Sequence, residues 1–228
     1  MTIRQIILDT ETTGLSPEQG HRLIEIGCVE LVDRRLTNNN FHCYINPERA
    51  VDEGAFKVHG LSAEFLADKP IFAHIKDDFL DFIAGAELII HNAPFDVGFI
   101  NAEFKRIDNQ FQLEKLCNIT DTLVLAKKQH PGQRNSLDAL CKRYFIDATD
   151  RILHGALLDA QLLADVYIAM TSGQKKMDFV SCGGEQEKYS LHLSSSSPVR
   201  LASAEELQEH HAFLEKIKNK AGKLVWEI

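Results

Sequence analysis

The chain has 228 residues, of which 44% are hydrophobic and 25% charged, and its 25 basic and 33 acidic side chains give a formal net charge of −8. This composition is typical of a globular protein with a buried core, and it excludes a wholly disordered chain and a basic nucleic-acid coat. Charged residues interrupt every long apolar stretch, so we expect neither a membrane span nor a signal peptide and predict a cytoplasmic protein.

The first part of the chain alternates between strand and helix patterns. Strands at 3–10, 23–32 and 41–45 are predicted to form an antiparallel meander, with a turn at 38–40. The elements expected after them are a helix at 71–83, a strand at 87–91, a helix at 94–107, a strand at 117–121 and helices at 122–128, 136–145 and 156–170. These segments predict an α/β layer structure.

The composition changes near Thr171, where paired glycines and a serine run begin to replace the periodic pattern. Such a segment predicts a flexible linker. Ser203 and Glu206 then have capping-box spacing, which predicts an amphipathic helix of roughly two to three turns within 204–220. We therefore divide the chain into a folded domain at 1–172, a linker at 173–202 and a docking segment at 203–228.

Acidic side chains follow two of the predicted strands. Asp9 and Glu11 end the first strand, and the two-residue strand period places both on one side of the backbone. Asp96 lies in the first turn of the helix that follows the strand ending at His91. Ligands of α/β sheets bind outside the carboxyl ends of the strands, so these acids are candidates for one site. Taken singly, they also fit a polar turn and a helix-dipole partner.

His154 and Asp159 form the third candidate pair. Five helical residues rotate the side chain by about 500°, so His154 must precede the helix if both side chains are to face one point, and Gly155 allows this. Asp159 then lies one turn inside the helix and interrupts an apolar face. An isolated histidine at a helix start is usually structural, but the combination favours a functional site.

The motifs Asp9-x-Glu11, His91-Asn92-x-x-Phe95-Asp96 and His154-x4-Asp159 resemble, in this order and spacing, those of the histidine-type (DEDDh) 3′→5′ exonucleases. The resemblance covers residues 3–170, and segments 56–60 and 135–140 resemble in particular the proofreading subunits of bacterial DNA polymerase III. It implies a ribonuclease-H-like fold with a mixed sheet flanked by helices. It also implies release of nucleoside 5′-monophosphates, one at a time, from a DNA 3′ end.

Four carboxylates and no thiolate favour hard cations, Mg²⁺ or Mn²⁺, and two such ions would balance the four charges. The predicted metal ligands, which are also predicted catalytic residues, are Asp9, Glu11, Asp96 and Asp159. The resemblance implies that His154 is the general base and that Asp96 acts through metal-bound water. The five cysteines lack zinc or redox spacing and are predicted to be free thiols.

The predicted substrate contacts are motif residues, their neighbours and one histidine that the resemblance places near the terminal nucleotide. They are Asp9, Thr10, Glu11, Thr12, His59, Asn92, Phe95 and Asp159. Glu53 and Gly54 depart from the family pattern, which has an acid five residues before His59, so neither is assigned a role. Residues 127–151 hold six basic and three acidic side chains and could contact the DNA backbone, although a solvated helix face explains them equally well.

The linker and tail suggest binding partners. Segment 174–179 resembles peptides that bind the bacterial sliding clamp, with Gln174, Met177 and Phe179 as the predicted contacts. The resemblance further implies that 203–228 bind the catalytic (alpha) subunit of DNA polymerase III, and a small theta-like subunit is a further expected partner. Weak intrinsic affinity for DNA, expected at −8, suits a nuclease that a partner delivers to its substrate.

Three alternatives remain at this point. An RNA 3′-end-trimming exonuclease of the same superfamily would carry the same motifs, although the tail argues against it. An aspartyl phosphatase also begins with a strand-end acid pair, but here Glu11 stands where a second aspartate is expected. A non-catalytic tether between polymerase and clamp would need no motif acids at all.

Overall fold

The protein is described by a computed structural model that covers residues 3–149, 151, 153–172 and 202–221. The chain divides into two units, the first ending at Lys176 and the second beginning at Met177. Apart from Ala202, the predicted linker lies outside the described residues, and so does the whole of the predicted clamp peptide 174–179. The domain boundaries therefore stay a prediction.

The first unit contains one five-stranded sheet with the order β3-β2-β1-β4-β5. Its strands are β1 (Arg4–Thr12), β2 (Leu23–Val32), β3 (Arg35–Tyr44), β4 (Glu87–Ile90) and β5 (Ile119–Asp121). β1, β2 and β3 pair antiparallel, whereas β4 pairs parallel with both β1 and β5. The predicted mixed sheet and its antiparallel meander are confirmed.

The connection between β2 and β3 differs from the prediction. The chain turns at Asp33 and Arg34, whose φ angles of 49° and 66° suit the two-residue hairpin turn that matches the twist of paired strands. The turn predicted at 38–40 is wrong, because these asparagines lie inside β3. Asn38 has a φ of 62° opposite a register shift in β2, so the polar run marks a bulge in the strand.

Seven helices are described in the first unit. They are α1 (Glu53–His59), α2 (Ala63–Leu66), α3 (Phe72–Ile83), α4 (Ala93–Lys105), α5 (Thr122–Gln129), α6 (Leu137–Tyr144) and α7 (Ala156–Thr171). All five helices predicted between 71 and 170 are confirmed as α3 to α7, within a few residues at each end. The short helices α1 and α2 were not predicted, since neither is long enough to show a helical apolar period.

The centre of the sheet is buried on both faces, because alternate β1 side chains enter different cores, whereas the edge strand β3 is mostly exposed. Ile6 and Leu8 belong to a core with phenylalanines of α3 and α4, such as Phe79. Ile7 belongs to a second core with residues of α6 and α7, such as Leu163. The result is a helix–sheet–helix arrangement. Of the four cysteines described, all are free thiols and three are buried.

The second unit contains helix α8 (Ala204–Ala221). Its predicted capping box is confirmed, since Ser203 N–H donates to Glu206 Oε2 at 2.8 Å and Glu206 N–H donates to Ser203 Oγ at 3.2 Å. With 18 residues, about five turns, α8 is longer than the two to three turns predicted. Among the described helices of both units, none combines the length and the hydropathy needed to cross a bilayer.

Candidate active site

The predicted acids meet at the carboxyl ends of β1 and β4. Asp9 and Glu11 lie on β1, and Asp96 lies in the first turn of α4, directly after β4. Thr10 lies between Asp9 and Glu11 in the sequence and is buried. Its hydroxyl donates a hydrogen bond to Asp96 Oδ1 at 2.6 Å. A cavity of about 550 Å³ opens here, and its lining includes Asp9, Glu11, Asp96, His154 and Asp159.

Gly27 allows α7 to pack close to the sheet, which brings Asp159 to the carboxyl ends of β1 and β4. Gly27 pairs with Asp9 across β1 and β2, and a Cβ at this position would lie 2.3 Å from the Ala156 carbonyl carbon and the Leu157 nitrogen. A larger side chain would therefore push the start of α7 away from the sheet and move Asp159 with it. The sequence signal for this role was a glycine inside an apolar strand, which often marks a close backbone approach.

The acids repel one another in a poorly solvated site. Burial raises the pKa of Asp9 well above its usual value, and the charges of Asp96, Asp159 and Glu11 raise it further. Burial, followed by the Asp159 charge, raises the pKa of Glu11 to about 8. Burial raises the pKa of Asp96 to about 7 despite the hydrogen bond from Thr10. Such a cluster gains stability from a bound cation.

The donor atoms suit a divalent metal ion. Glu11, His154 and Asp159 offer atoms that all lie within 4.8 Å of one another. Carboxylate oxygens dominate the cavity's acidic lining, and these are the ligands that Mg²⁺ and Mn²⁺ prefer. The residues present therefore fit the cation type that the sequence predicts.

His154 precedes α7, as predicted, because the helix begins at Ala156 with Gly155 as its N-cap. The backbone N–H of His154 donates to the Val58 carbonyl at 3.1 Å, which fixes this segment against α1. The ring is 44% exposed, and its Nδ1 lies 3.1 Å from Asp159 Oδ2. A half-exposed imidazole at the cavity rim can exchange protons with water.

Arg151 enters the site in a way that the sequence did not predict. Its Nε donates to Asp159 Oδ1 at 2.5 Å and its Nη2 to Asp159 Oδ2 at 2.6 Å. Nη1 donates to Asp138, and Nη2 also lies 2.8 Å from His154 Nδ1. Its side chain is only 7% exposed. Within the predicted basic patch, this residue is therefore engaged with acids.

The predicted substrate contacts line two neighbouring cavities. Asn92 and Phe95 line the first, whereas Thr12, His59 and again Phe95 line a second cavity of about 490 Å³. His59 Nδ1 accepts the Leu61 N–H at 3.0 Å, while its buried Nε2 has no hydrogen-bond partner among the described residues. Burial lowers the pKa of His59 and thus favours the neutral form of the ring.

Two of the predicted contacts use their hydroxyls within the protein. Thr10 donates to Asp96, and Thr12 donates to the Gly14 carbonyl at 2.6 Å. Gly54 lines the second cavity, but Glu53 forms an exposed ion pair with Lys57 on α1. The positions of Thr10 and Thr12 therefore favour roles in shaping the site.

Comparison with known proteins shows the class of protein to which this chain belongs. Residues 6–167 match the family model described as Exonuclease. Among solved structures, the fold resembles Exonuclease X in complex with 5′-overhanging duplex DNA, with a TM-score of 0.58 and 26% identity over 74% of this chain and 91% of that chain. The fold, the site and the match together define an exonuclease, a hydrolase of phosphodiester bonds.

Similar curated proteins narrow this class. DNA polymerase III subunit epsilon of Salmonella typhimurium is 51% identical, and that of Escherichia coli strain K12 is 50% identical. Each alignment covers 98% of this chain and 97% of the relative. The chain belongs to the DNA polymerase III subunit epsilon family of exonucleases. The predicted family, fold and exonuclease activity are confirmed.

Proposed function

We propose that this chain is a proofreading 3′→5′ exonuclease that works in the cytoplasm within bacterial DNA polymerase III and releases nucleoside 5′-monophosphates. One observation carries the proposal, namely that Asp9, Glu11, Asp96, Asp159 and His154 line one cavity at the carboxyl end of the sheet. The relatives' name, DNA polymerase III subunit epsilon, supports a DNA substrate and membership of the polymerase complex.

Asp9, Glu11, Asp96 and Asp159 would hold two divalent cations, Mg²⁺ or Mn²⁺. Bound there, the ions would stabilise negative charge on the attacking and leaving oxygens of the phosphodiester. The raised pKa values of Asp9, Glu11 and Asp96 support this role, because burial, together with acidic neighbours in the case of Asp9 and Glu11, disfavours these charged carboxylates unless a cation is bound. Thr10 fixes the rotamer of Asp96 by its hydrogen bond.

His154 is the general base in this proposal. Its ring lies at the rim of the cavity beside Asp159, where it can take a proton from the attacking water. Gly155 and the hydrogen bond to Val58 set the position of the histidine relative to α7. The water oxygen would bond to phosphorus as the bond from phosphorus to the 3′-oxygen breaks; the 3′-oxygen would take up a proton from solvent, and the half-exposed ring would return its proton to solvent.

The 3′-terminal nucleotide would occupy the second cavity. Phe95 lines both cavities and offers an aromatic face for stacking, and Glu11 also lines both. The unpartnered Nε2 of His59 offers a hydrogen-bonding group to the nucleotide. A buried polar atom without a partner costs free energy, so a bound substrate would recover part of that cost.

The activity is tested with the purified full chain and 5′-labelled DNA that ends in a 3′ mismatch, with Mg²⁺, with Mn²⁺ or with a chelator. We expect metal-dependent shortening from the 3′ end. Asp9→Asn should lower the rate at least about a thousandfold, because the proposed metal site would lose a carboxylate ligand. His154→Gln should lower it by about a hundredfold or more.

Asp78→Asn is the matched control, since Asp78 is an exposed acid on α3 and does not line either cavity. Its rate should stay within twofold of the original chain. An RNA oligomer tests the RNA-trimming alternative, which would be supported by fast RNA shortening with intact DNA. Full activity of Asp9→Asn would contradict the proposed site, and inactivity on both substrates would favour the polymerase–clamp tether.

Partner binding is proposed through segment 203–228 to the polymerase catalytic (alpha) subunit. Within α8, Leu207 and Phe213 are 48% and 63% exposed, so both apolar side chains are accessible on this helix. We expect Leu207→Ser/Phe213→Ser to weaken binding to the purified alpha subunit at least tenfold. Glu209→Gln, an exposed change on the same helix, should bind normally.

The sliding clamp would bind peptide 174–179. Phe179→Ala should abolish capture of the full chain by immobilised clamp, whereas Lys175→Ala should retain it, because aromatic anchors dominate such peptides. Equal capture of both variants would contradict this assignment. A theta-like subunit stays a prediction.

A further inference from the structure

We infer that Arg151 is a tethered cation that competes with the divalent metal ion for Asp159 and must withdraw before the metal site can form. The inference rests on the proposed metal site. It assigns Arg151 a role in metal loading, which neither its position in the sequence nor the basic patch around it indicates.

Arg151 and Asp159 form a buried, two-point ion pair. The guanidinium reaches both carboxylate oxygens, at 2.5 and 2.6 Å, in the bidentate arrangement that makes arginine–carboxylate pairs strong. The side chains are 7% and 4% exposed, so water screens the pair little. A third donor, Nη1, is held by Asp138 on α6. Arg151 is thus fixed over the oxygens that a metal ion would use.

The positive charge of Arg151 acts on the whole acid cluster. Arg151 lies close enough to lower the pKa values of Asp9 and Glu11, against the effects of burial and acidic neighbours. It therefore already supplies part of the positive charge that the acid cluster requires. A divalent ion bound to the same Asp159 oxygens would lie within a few ångströms of the guanidinium, where the two cations repel strongly. The observed Arg151 position therefore opposes metal binding at these oxygens.

Arg151 also contacts the ring of His154. A guanidinium has hydrogen-bond donors but no acceptor, so in the 2.8 Å contact Nδ1 of His154 must accept. The lone pair of Nδ1 is then occupied for as long as Arg151 stays in place. Withdrawal of Arg151 from Asp159 would release the ring at the same time. Metal loading and release of the proposed general base become one event.

The test is Mn²⁺ binding to the full chain without DNA, measured from the electron paramagnetic resonance signal of free Mn²⁺. Arg151→Gln should bind Mn²⁺ about tenfold more tightly than the original chain, because a charge-assisted bidentate pair no longer competes. Arg151→Lys keeps the charge but cannot span both oxygens, so its affinity should fall between the two. Arg134→Gln removes one positive charge from the exposed segment before α6 and should change affinity less than twofold.

Affinity of Arg151→Gln equal to or below that of the original chain would overturn the inference. Equal affinities of Arg151→Lys and the original chain would also overturn it, since net charge alone would then explain the effect. Circular dichroism of each variant checks that it is folded. Failure of this inference can be distinguished from failure of the proposed function. If the original chain binds no Mn²⁺ and cuts no DNA, the proposed metal site itself is wrong.

A measurement on the unchanged chain avoids any dependence on variant folding. The Nε–H resonance of Arg151, assigned by its absence in Arg151→Lys, should be protected from exchange in chelator and lose that protection as Mg²⁺ saturates the chain. A resonance that stays protected at saturating Mg²⁺ would contradict withdrawal of the side chain from Asp159.

Discussion

Two sets of acids in the first unit have opposite surroundings: a paired set, represented by Glu103, and an unpaired set, which comprises Asp9, Glu11 and Asp96 in the first cavity. Glu103 on α4 is 3% exposed and accepts from Arg22 Nε at 2.6 Å and from Arg22 Nη2 at 2.8 Å. Glu11 and Asp96 lie among other acids instead, and their pKa values are raised to about 8 and about 7. Glu103, whose arginine partner lies outside the cavity, holds two elements together, whereas Glu11 and Asp96 share one cavity where a cation would stabilise them.

The Arg22–Glu103 salt bridge of the paired set helps to position Asp96 of the unpaired set. Arg22 precedes β2 and joins it to α4 through Glu103, and its Nη1 also donates to the Pro47 carbonyl at 3.2 Å. Asp96 lies two turns earlier on the same helix α4. The salt bridge therefore fixes the helix that carries a predicted metal ligand, without entering either cavity.

The largest expected effect comes from breaking the paired set. Glu103→Gln should lower the free energy of unfolding by about 3 kcal/mol, since it leaves Arg22 buried without its counterion. Urea denaturation in chelator would measure this. Arg4→Gln, which breaks the more exposed Arg4–Glu30 pair, is the control and should cost less. Equal losses for the two variants would show that burial does not distinguish these pairs.

The second prediction concerns the unpaired set, where removing a charge should stabilise the protein. Because the folded-state pKa of Glu11 is raised from 4.5 to about 8, the folded chain binds this proton more tightly than the unfolded chain. Its contribution to stability is therefore present below about pH 4.5 and is lost as the pH rises through 8. At pH 8.5 in chelator, Glu11→Gln should raise the free energy of unfolding by about 2 kcal/mol.

Measurements of Glu11→Gln at pH 8.5 and at pH 5 separate this effect from general stabilisation. The gain should be present at pH 8.5 and largely absent at pH 5, where Glu11 is protonated in the folded chain. Burial lowers the pKa values of His59 and His91, and both histidines are present in Glu11→Gln and in the original chain, so their contribution cancels in this comparison. A gain of the same size at both pH values would disprove the assignment to the Glu11 charge.

The contrast between the two sets was only half predictable from the sequence. Strand-end position and motif spacing predicted that Asp9, Glu11 and Asp96 would meet, because period and topology are local or sheet-level properties. The partners of Glu103 and Asp159 were not predicted. Arg22 lies 81 residues from Glu103, and pairing over that distance depends on how helices pack.

The local backbone conformation was the other feature that the sequence did not predict. Gly27 and the hairpin turn at Asp33 depend on close approaches and φ angles that polarity does not reveal. Three consecutive asparagines favour a turn by composition, yet Asn38 and its neighbours pair with β2 through a bulge. The tertiary context overrides the local preference here.

The third prediction weakens the hydrogen bond that holds Asp96 in the unpaired set. Thr10→Val keeps the shape of the side chain but removes the donor to Asp96 Oδ1. Because this bond favours the charged carboxylate, its loss should raise the pKa of Asp96 and increase the Mg²⁺ concentration for half-maximal activity about fivefold, or about 1 kcal/mol. The rate at saturating Mg²⁺ should change less than twofold, and Thr10→Ser should restore the metal dependence. An unchanged Mg²⁺ dependence would mean that the bond has no positioning role.

The smallest expected effect concerns an exposed pair, which completes the comparison. Glu53 and Lys57 form an i,i+4 ion pair of 2.6 Å on α1, with side chains 82% and 71% exposed. Glu53→Gln should therefore change the free energy of unfolding by less than about 0.5 kcal/mol. Exonuclease activity should stay within twofold, because Glu53 lines neither cavity although the adjacent Gly54 lines the second. A loss of activity above tenfold would show that Glu53 takes the place of the acid expected near His59, and solvent exposure would then no longer separate structural from functional acids in this protein.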